Sequence, residues 1–167
     1  YKTSAIAGAD LKEKYGFWGQ SMMQYGRAIP IDRLHGHSTA SIIAAVDMLK
    51  EGNILLIHPE GTRTHTGKLG KIHSGAALIA KRADVPMCPV FIEGGYEFWN
   101  RYMKWPSFRD ENGKKRKIIV HFGAPIHPQN YKTTRQLSNA LSEWMHEMQK
   151  HKLIPREFDE SGKAIVH

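Results

Sequence analysis

The sequence predicts an α/β fold with a mostly parallel sheet flanked by helices. Four short apolar segments, at residues 28–31, 53–58, 87–92 and 118–122, have the composition of strands, and helical segments alternate with them. Right-handed crossovers then bring the strand-to-helix loops together along the carboxyl edge of the sheet, where such folds bind ligands. The 167 residues suffice for one domain and contain no long linker, so we assign residues 1–167 to a single domain.

Residues 10–25, rich in Lys, Met and aromatic residues, are typical of an irregular helix pair, and a short strand at residues 28–31 follows. The next helix is capped by Ser38, carries Ile42, Ile43, Val46 and Leu49 at helical spacing, and ends at Gly52. Residues 53–58 contain the continuous apolar run 54–57, which indicates a strand that is buried on both faces.

The second half of the chain continues the alternation. A helix rich in small residues is predicted at residues 74–83 and a strand at 87–92, and a long loop leads to the strand at 118–122. The sequence from Thr133 to Gln136 has the form of a capping box, which marks the start of the last helix. This helix is predicted to present one apolar face, formed by Leu137, Leu141, Trp144, Met145 and Met148.

Composition restricts the partners. The chain has 24 basic and 16 acidic residues, a net charge of +8, which favours an anionic partner such as nucleic acid, anionic lipid or a phosphorylated small molecule. A basic protein without a charged partner is the alternative. No apolar run approaches the roughly 18 residues that span a bilayer. The single cysteine, Cys88, lies in an apolar run and is interpreted as a structural thiol in a reducing compartment. The histidines lack zinc-site spacing, so we assign no metal.

The segment from His58 to Arg63 carries the clearest chemistry. It follows a predicted strand and precedes a helix, which places it at the carboxyl edge of the sheet. Gly61 permits a sharp turn, and Arg63 offers a planar fork of donors suited to a phosphate. Lys68, Lys71 and His73 make the rim of the predicted pocket positive. The alternative is an ordinary surface turn in which Glu60 and Arg63 form an ion pair.

Three blocks in order resemble the 1-acylglycerol-3-phosphate (lysophosphatidic acid) acyltransferases and the wider phospholipid-glycerol acyltransferase family. The segment from His58 to Arg63 resembles the family's Phe-Pro-Glu-Gly-Thr-Arg block, with His in place of Phe. Residues 85–90 resemble its Val-Pro-x-x-Pro-Val block, and residues 26–33 are similar to its Gly and Phe-Ile-Asp-Arg block, with Pro30 in place of an aromatic residue. We interpret His58 as a structural histidine; the alternative is that its imidazole reaches the acceptor.

The resemblance implies roles for individual residues. Arg33 and Arg63 match positions that hold the phosphate of the glycerol acceptor. Glu60, Gly61 and Thr62 match positions that shape the same site, so the implied substrate-binding residues are Arg33, Gly61, Thr62 and Arg63, with Glu60 as a site-shaping member of the catalytic set. A phosphate held in this way would place a free hydroxyl in line with the acyl thioester.

The family's catalytic dyad, a His followed five positions later by an Asp, does not occur in this sequence. In the family the His is the general base, the Asp orients its ring, and the pair lies several tens of residues before the first block. We therefore expect that the general base lies upstream of residue 1 and that the domain is incomplete at its N-terminus. A catalytically inactive relative is the alternative.

The implied function is transfer of a fatty acyl group to the free hydroxyl of a lysophosphatidic acid-like acceptor in phospholipid biosynthesis. The resemblance implies no bound cofactor, with acyl-CoA or acyl-carrier protein as co-substrate. It also implies a location at the cytoplasmic face of a membrane, peripheral or anchored by helices upstream of residue 1. The alternatives are a non-catalytic lipid-binding or scaffold relative and an acyltransferase for a different lysolipid. A nucleic-acid-binding module has only the charge in its favour, since no binding motif occurs.

The loop between the last two predicted strands has a distinctive composition. Residues 98–106 mix aromatic and basic side chains, which suits a membrane interface, although a packed excursion over the sheet is the alternative. Residues 113–117 form a basic run that could meet anionic lipid or be a solvated turn between strands.

Overall fold

A computed structural model of the protein describes residues 3–8, 29–31, 39–152, 157–158 and 164–165. The helix pair predicted at residues 10–25, the cap Ser38 and the predicted site residue Arg33 lie outside these residues. The strands are β1 (Thr3–Gly8), β2 (Ile29–Ile31), β3 (Ile54–Leu56), β4 (Val90–Glu93), β5 (Ile119–Phe122), β6 (Glu157–Phe158) and β7 (Ala164–Ile165). The helices are α1 (Thr39–Lys50), α2 (Gly75–Ala83), α3 (Gly95–Phe98) and α4 (Thr134–Lys152), with a 3-10 turn at Pro128–Asn130.

The first three strands form a parallel sheet in the order β2-β1-β3. Helix α1 connects β2 to β3, the two strands on either side of β1, and such a crossover is what parallel strands of one sheet require. The strands β4 and β5 instead pair antiparallel, with Val90 opposite Phe122 and Glu93 opposite Ile119. The chain between β4 and β5 contains only a short helix, α3, and it turns back so that β5 runs beside β4 in the opposite direction. The fold combines the predicted parallel sheet with an antiparallel pair.

The core lies between α1 and α2. Ile42, Ala45 and Val46 of α1 pack against Ile79 and Ala83 of α2, and all five are buried. Half-buried side chains complete the cluster: Leu49, Leu55, Ile57, Leu78 and Val85. Burial of side chains as large as Ile42, Val46 and Ile79 contributes about 1.5–3 kcal/mol each. The spacing that predicted α1 from the sequence is thus the spacing of its buried face, except that Ile43 is exposed.

Helix α4 begins with the predicted capping box. The backbone N–H of Gln136 donates to Thr133 Oγ1 at 3.2 Å, and the N–H of Thr133 donates to Gln136 Oε1 at 3.2 Å. The predicted apolar face is also present, since Leu137, Leu141 and Met145 are buried. The helix therefore packs against the body of the protein along a face that the sequence defined.

One prediction about burial was wrong. Strand β3 is covered on one face only, because Leu55 packs against the helices while Ile54 and Leu56 are about half exposed (53% and 50%). The continuous apolar run therefore did not mean burial on both faces. Cys88 is exposed, and its thiol donates to the carbonyl of Gly123 at 3.7 Å, so its interpretation as a structural thiol stays a prediction. Within the described ranges, no helix combines the length and the apolar character that crossing a bilayer requires.

Candidate functional site

The site is built on the connection between β3 and α2, residues 58–73, called here the site loop. It leaves the carboxyl end of β3 with a tight turn, in which the N–H of Gly61 donates to the carbonyl of His58 at 3.0 Å. Gly61 has a φ of +68°, a conformation that glycine adopts without the steric penalty that other residues meet. The turn predicted for Gly61 from the sequence is therefore present.

Glu60 closes the site loop on itself. Its Oε2 accepts a hydrogen bond from the N–H of Gly70 at 2.6 Å, and next to this contact the N–H of His73 donates to the carbonyl of Pro59 at 2.9 Å. Among the described residues no ion pair joins Glu60 to Arg63, so the surface ion pair considered from the sequence does not form. The Glu60 carboxylate instead joins the start of the site loop to Gly70, near its end, and this contact shapes the site.

Three hydroxyl-centred contacts order the tip of the site loop. Thr64 Oγ1 donates to the carbonyl of Lys68 at 2.7 Å, and it accepts from the N–H of Thr66 at 3.3 Å. Thr66 Oγ1 accepts from the N–H of Lys68 at 3.3 Å. Side-chain oxygens of this kind stabilise turns by bonding to nearby backbone groups. The loop is therefore folded, although it contains no helix or strand.

The folded loop encloses a cleft of about 330 Å³. The ionisable side chains in its lining are Glu60, Arg63, Lys68, Lys71, His73 and His65. Three of these are permanent cations and one is a carboxylate, and that carboxylate is engaged with Gly70. Arginine and lysine donors together favour an oxyanion such as phosphate, which Arg63 can bind through two parallel hydrogen bonds. The cleft can therefore hold an anionic group at the carboxyl end of β3.

A second segment, which begins at α3, supports the site loop from outside. The hydroxyl of the buried Tyr96 donates to the carbonyl of His65 at 2.8 Å. The Arg101 guanidinium contacts His65 Nε2 and donates to the carbonyl of Arg63 at 3.5 Å. The Tyr102 hydroxyl lies 3.3 Å from His65 Nδ1. These contacts hold the backbone on both sides of Thr64.

Sequence reasoning missed this support. Tyr96, Arg101 and Tyr102 lie more than 30 positions from the residues they contact, and no local pattern links the two segments. The only signal in the sequence is the mixture of aromatic and basic residues at 98–106, which suits either a membrane interface or a packed excursion over the sheet.

The predicted site residues have different outcomes. Glu60, Gly61, Thr62 and Arg63 lie together on the site loop, and all but Gly61 line the cleft. Arg33 lies outside the described residues, so its position relative to Arg63 stays a prediction. His58 is exposed, and its backbone carbonyl accepts the hydrogen bond of the turn, while the structural role of its imidazole stays a prediction. The roles of all these residues in substrate binding stay predictions.

Comparison with known proteins identifies the family. The model of the family described as Acyltransferase matches residues 2–93, which is more than half of the chain and includes the whole site loop. The chain belongs to the acyltransferase family. The resemblance deduced from the three sequence blocks is thereby confirmed.

Curated relatives of this acyltransferase-family chain have consistent names. It is 28% identical over 128 residues to the probable 1-acyl-sn-glycerol-3-phosphate acyltransferase of Mycoplasma pneumoniae, an alignment that covers 76% of this chain and 48% of the relative. It is 31% identical over 114 residues to the 1-acyl-sn-glycerol-3-phosphate acyltransferase of Bacillus subtilis, covering 68% and 50%. The chain spans about half the length of these relatives.

The fold also has a counterpart among solved structures. The crystal structure of the 1-acyl-sn-glycerophosphate (LPA) acyltransferase PlsC from Thermotoga maritima matches with a TM-score of 0.69 and 21% sequence identity. The match covers 93% of this chain and 59% of that one. The predicted α/β fold class is confirmed by this likeness in fold.

Proposed function

We propose that this chain binds the phosphate of a lysophosphatidic acid-like acceptor and takes part in the transfer of a fatty acyl group to the acceptor's free hydroxyl. The cleft of the site loop carries the proposal, because it gathers Arg63, Lys68 and Lys71 around a volume of about 330 Å³ at the carboxyl end of β3. The names of the relatives, which act on 1-acyl-sn-glycerol-3-phosphate, indicate the same acceptor.

The contribution of this chain to the reaction is positioning. The acceptor hydroxyl oxygen attacks the carbonyl carbon of the acyl thioester, the carbon–sulfur bond breaks, and the thiol leaves with the proton that the hydroxyl lost. A phosphate anchored at Arg63 fixes the distance and direction of the hydroxyl, and such positioning supplies much of the rate in reactions of two substrates. We assign the proton-accepting role to no residue of this chain, because its ten histidines lack an Asp five positions later.

The donor and the location belong to the same proposal. Acyl-CoA and acyl-carrier protein both present a thioester, and we propose one of them as co-substrate with no bound cofactor. A lysophosphatidic acid acceptor partitions into bilayers, so we propose that the protein works at the cytoplasmic face of a membrane. Residues 1–167 form one domain in this proposal.

Two alternatives predict different behaviour. A scaffold relative of the same fold would bind lysophosphatidic acid without consuming the thioester. An acyltransferase for another lysolipid would consume the thioester with a different acceptor. The charge of the cleft favours the first proposal: its lining carboxylate, Glu60, is already bonded to Gly70. The remaining positive charge favours a simple phosphate over a zwitterionic headgroup.

The test is the substitution Arg63→Ala in the protein that carries this sequence. A hydrogen bond to a charged group contributes about 1.5–3 kcal/mol, so kcat/KM for lysophosphatidic acid should fall roughly 10- to 100-fold. Arg82→Ala is the matched control, because Arg82 is an exposed arginine in the last turn of α2 and does not line the cleft. Thiol release and direct binding of lysophosphatidic acid are both measured.

The outcomes separate the possibilities. Loss of thiol release in Arg63→Ala, with normal activity in Arg82→Ala, supports the proposal. The variant should also lose most of its preference for lysophosphatidic acid over monoacylglycerol, which lacks the phosphate. Unchanged kcat/KM and unchanged preference in Arg63→Ala would show that Arg63 does not bind the phosphate. Binding that depends on Arg63 without any thiol release would establish the scaffold alternative.

A further inference from the structure

The chain between α3 and β5, residues 99–117 and here called the docking segment, leaves the body of the protein and returns to it. Its base is closed by the N–H of Ser107, which donates to the carbonyl of Phe98 at 2.7 Å. The rings of Phe98 and Phe108 pack edge to face with centroids 5.2 Å apart. Aromatic pairs of this geometry stabilise beyond the area they bury. The middle of the segment is therefore anchored to the end of α3.

The second half of the docking segment is a small hairpin. Arg109 and Lys115 form an antiparallel bridge, and the N–H of Arg116 donates to the carbonyl of Phe108 at 2.9 Å. At its tip the Asp110 carboxylate accepts from the N–H groups of Asn112 and Lys114 at 3.0 and 2.8 Å. The acidic group is thus used to close the turn, and the segment has a defined shape rather than that of a loose loop.

This ordered segment exposes large aromatic side chains. The exposed fractions are 51% for Trp99, 47% for Tyr102, 75% for Trp105 and 67% for Phe108. Apolar area left in water forgoes the free energy that burial would provide, and clusters of it on a protein mark interaction surfaces. Trp and Tyr beside basic residues are the composition found at the headgroup level of membranes.

The docking segment also concentrates positive charge. It contains seven Lys and Arg residues against two acidic ones, a net charge of +5 out of +8 for the whole chain. Lys114, Lys115 and Lys117 are all exposed. A basic cluster beside exposed aromatic rings complements an anionic bilayer, because the rings enter the headgroup layer while the cations meet the lipid phosphates.

We propose that the docking segment binds the surface of an anionic membrane and places the mouth of the site-loop cleft against the headgroups. The cleft and the segment are in direct contact, because Arg101 and Tyr102 of the segment touch His65 of the site loop. A lipid acceptor can then enter the cleft without leaving the bilayer. The choice of a lipid partner rests on the proposed function, whereas the surface itself rests on the exposure and charge of the segment.

The first experiment measures the apolar contribution. The protein is sedimented with vesicles of phosphatidylcholine alone or mixed with phosphatidylglycerol, without acceptor or thioester. The substitution Trp105→Ala should weaken binding to the mixed vesicles about tenfold, because the most exposed aromatic side chain of the segment no longer enters the interface. Phe122→Ala, an equally exposed aromatic residue on β5 (72%), is the control and should bind like the unaltered protein.

The second experiment measures the charge contribution with net charge held equal. Changing Lys114, Lys115 and Lys117 to Gln should weaken binding to phosphatidylglycerol-containing vesicles by roughly a hundredfold, on the order of fivefold for each lysine near the surface. Changing Lys50, Lys132 and Lys150 to Gln removes the same three charges from exposed positions on α1, before α4 and on α4. This control should weaken binding only a few-fold.

The results decide the proposal independently of acyl transfer. Equal loss of binding in the two triple variants would mean that net charge alone attracts the protein to the vesicles. The proposal that the docking segment is the membrane-binding surface would then be refuted. Vesicle binding that Trp105→Ala leaves unchanged would refute it as well. Tight binding to single-stranded nucleic acid through the same residues, without vesicle binding, would overturn the proposal of a membrane partner. The aromatic residues would then stack on nucleic-acid bases. If vesicle binding is lost as expected while Arg63→Ala keeps full transferase activity, only the proposed function fails.

Discussion

Replacing Gly94 with alanine tests how the docking segment is attached to the sheet. Gly94 lies between β4 and α3 and has a φ of +79°. A Cβ at this position would lie 2.3 Å from the carbonyl oxygen of Lys117 and 3.5 Å from its carbonyl carbon. That carbonyl is part of the backbone that leads into β5, so it cannot rotate away as a side chain would. The backbone that follows β4 and the backbone that precedes β5 can approach this closely because residue 94 has no side chain.

The expected magnitude has two parts. A residue other than glycine in the left-handed region costs about 1–2 kcal/mol. Forcing the backbone apart to remove an overlap adds about 1–3 kcal/mol, as for other over-packed sites. The free energy of unfolding of Gly94→Ala should therefore fall by about 2–5 kcal/mol. Gly113→Ala provides the control, since Gly113 has a φ of +76° and no atom within 4 Å of the added Cβ, and it should cost only the first part.

Denaturant unfolding of both variants measures the difference, with the free energy extrapolated to water. In a domain of this size, each kcal/mol lowers the melting temperature by about 2–4 °C, so the two variants should be resolved by thermal unfolding as well. If Gly94→Ala and Gly113→Ala lose the same free energy of unfolding within error, the close approach of Lys117 to residue 94 does not exist in solution. The attachment of the docking segment inferred from it would then be wrong.

Two further predictions concern the site loop. Glu60→Gln keeps an acceptor oxygen but removes the charge that strengthens the 2.6 Å hydrogen bond from the N–H of Gly70. The Gly70 amide hydrogen should therefore exchange with solvent up to roughly tenfold faster. Unchanged exchange would show that the carboxylate does not close the loop. Tyr96→Phe removes the hydroxyl that donates to the His65 carbonyl at 2.8 Å, so the free energy of unfolding should fall by about 1 kcal/mol. A variant as stable as the original protein would mean that the site loop does not depend on α3.

The sequence by itself determined the features whose causes are local. The capping box of Thr133 and Gln136, the turn at Gly61 and the apolar spacing of α1 all appear as predicted. Each depends on groups within about four positions of one another, so the side chains that define the element are also the side chains that stabilise it. The order of the three blocks likewise indicated the family without any structure.

The tertiary structure decided the features that depend on distant partners. The apolar run of β3 could not reveal that one face stays exposed, because coverage depends on which elements pack there. The antiparallel pairing of β4 with β5 depends on the path of the 25 residues between their paired ends, Glu93 and Ile119. The sequence suggested an ion pair with Arg63 as one alternative for Glu60, whereas the fold brings the N–H of Gly70 to its carboxylate.

The site shows the same division. The residue types from His58 to Arg63 determined its chemistry, because a glycine turn followed by an arginine fork suits a phosphate wherever the chain places it. Only the tertiary structure showed that Tyr96 and Arg101 hold this loop and that a segment rich in exposed aromatic residues lies beside it. Contacts across more than 30 positions are selected by the packing of the whole domain, and no periodicity in the sequence records them.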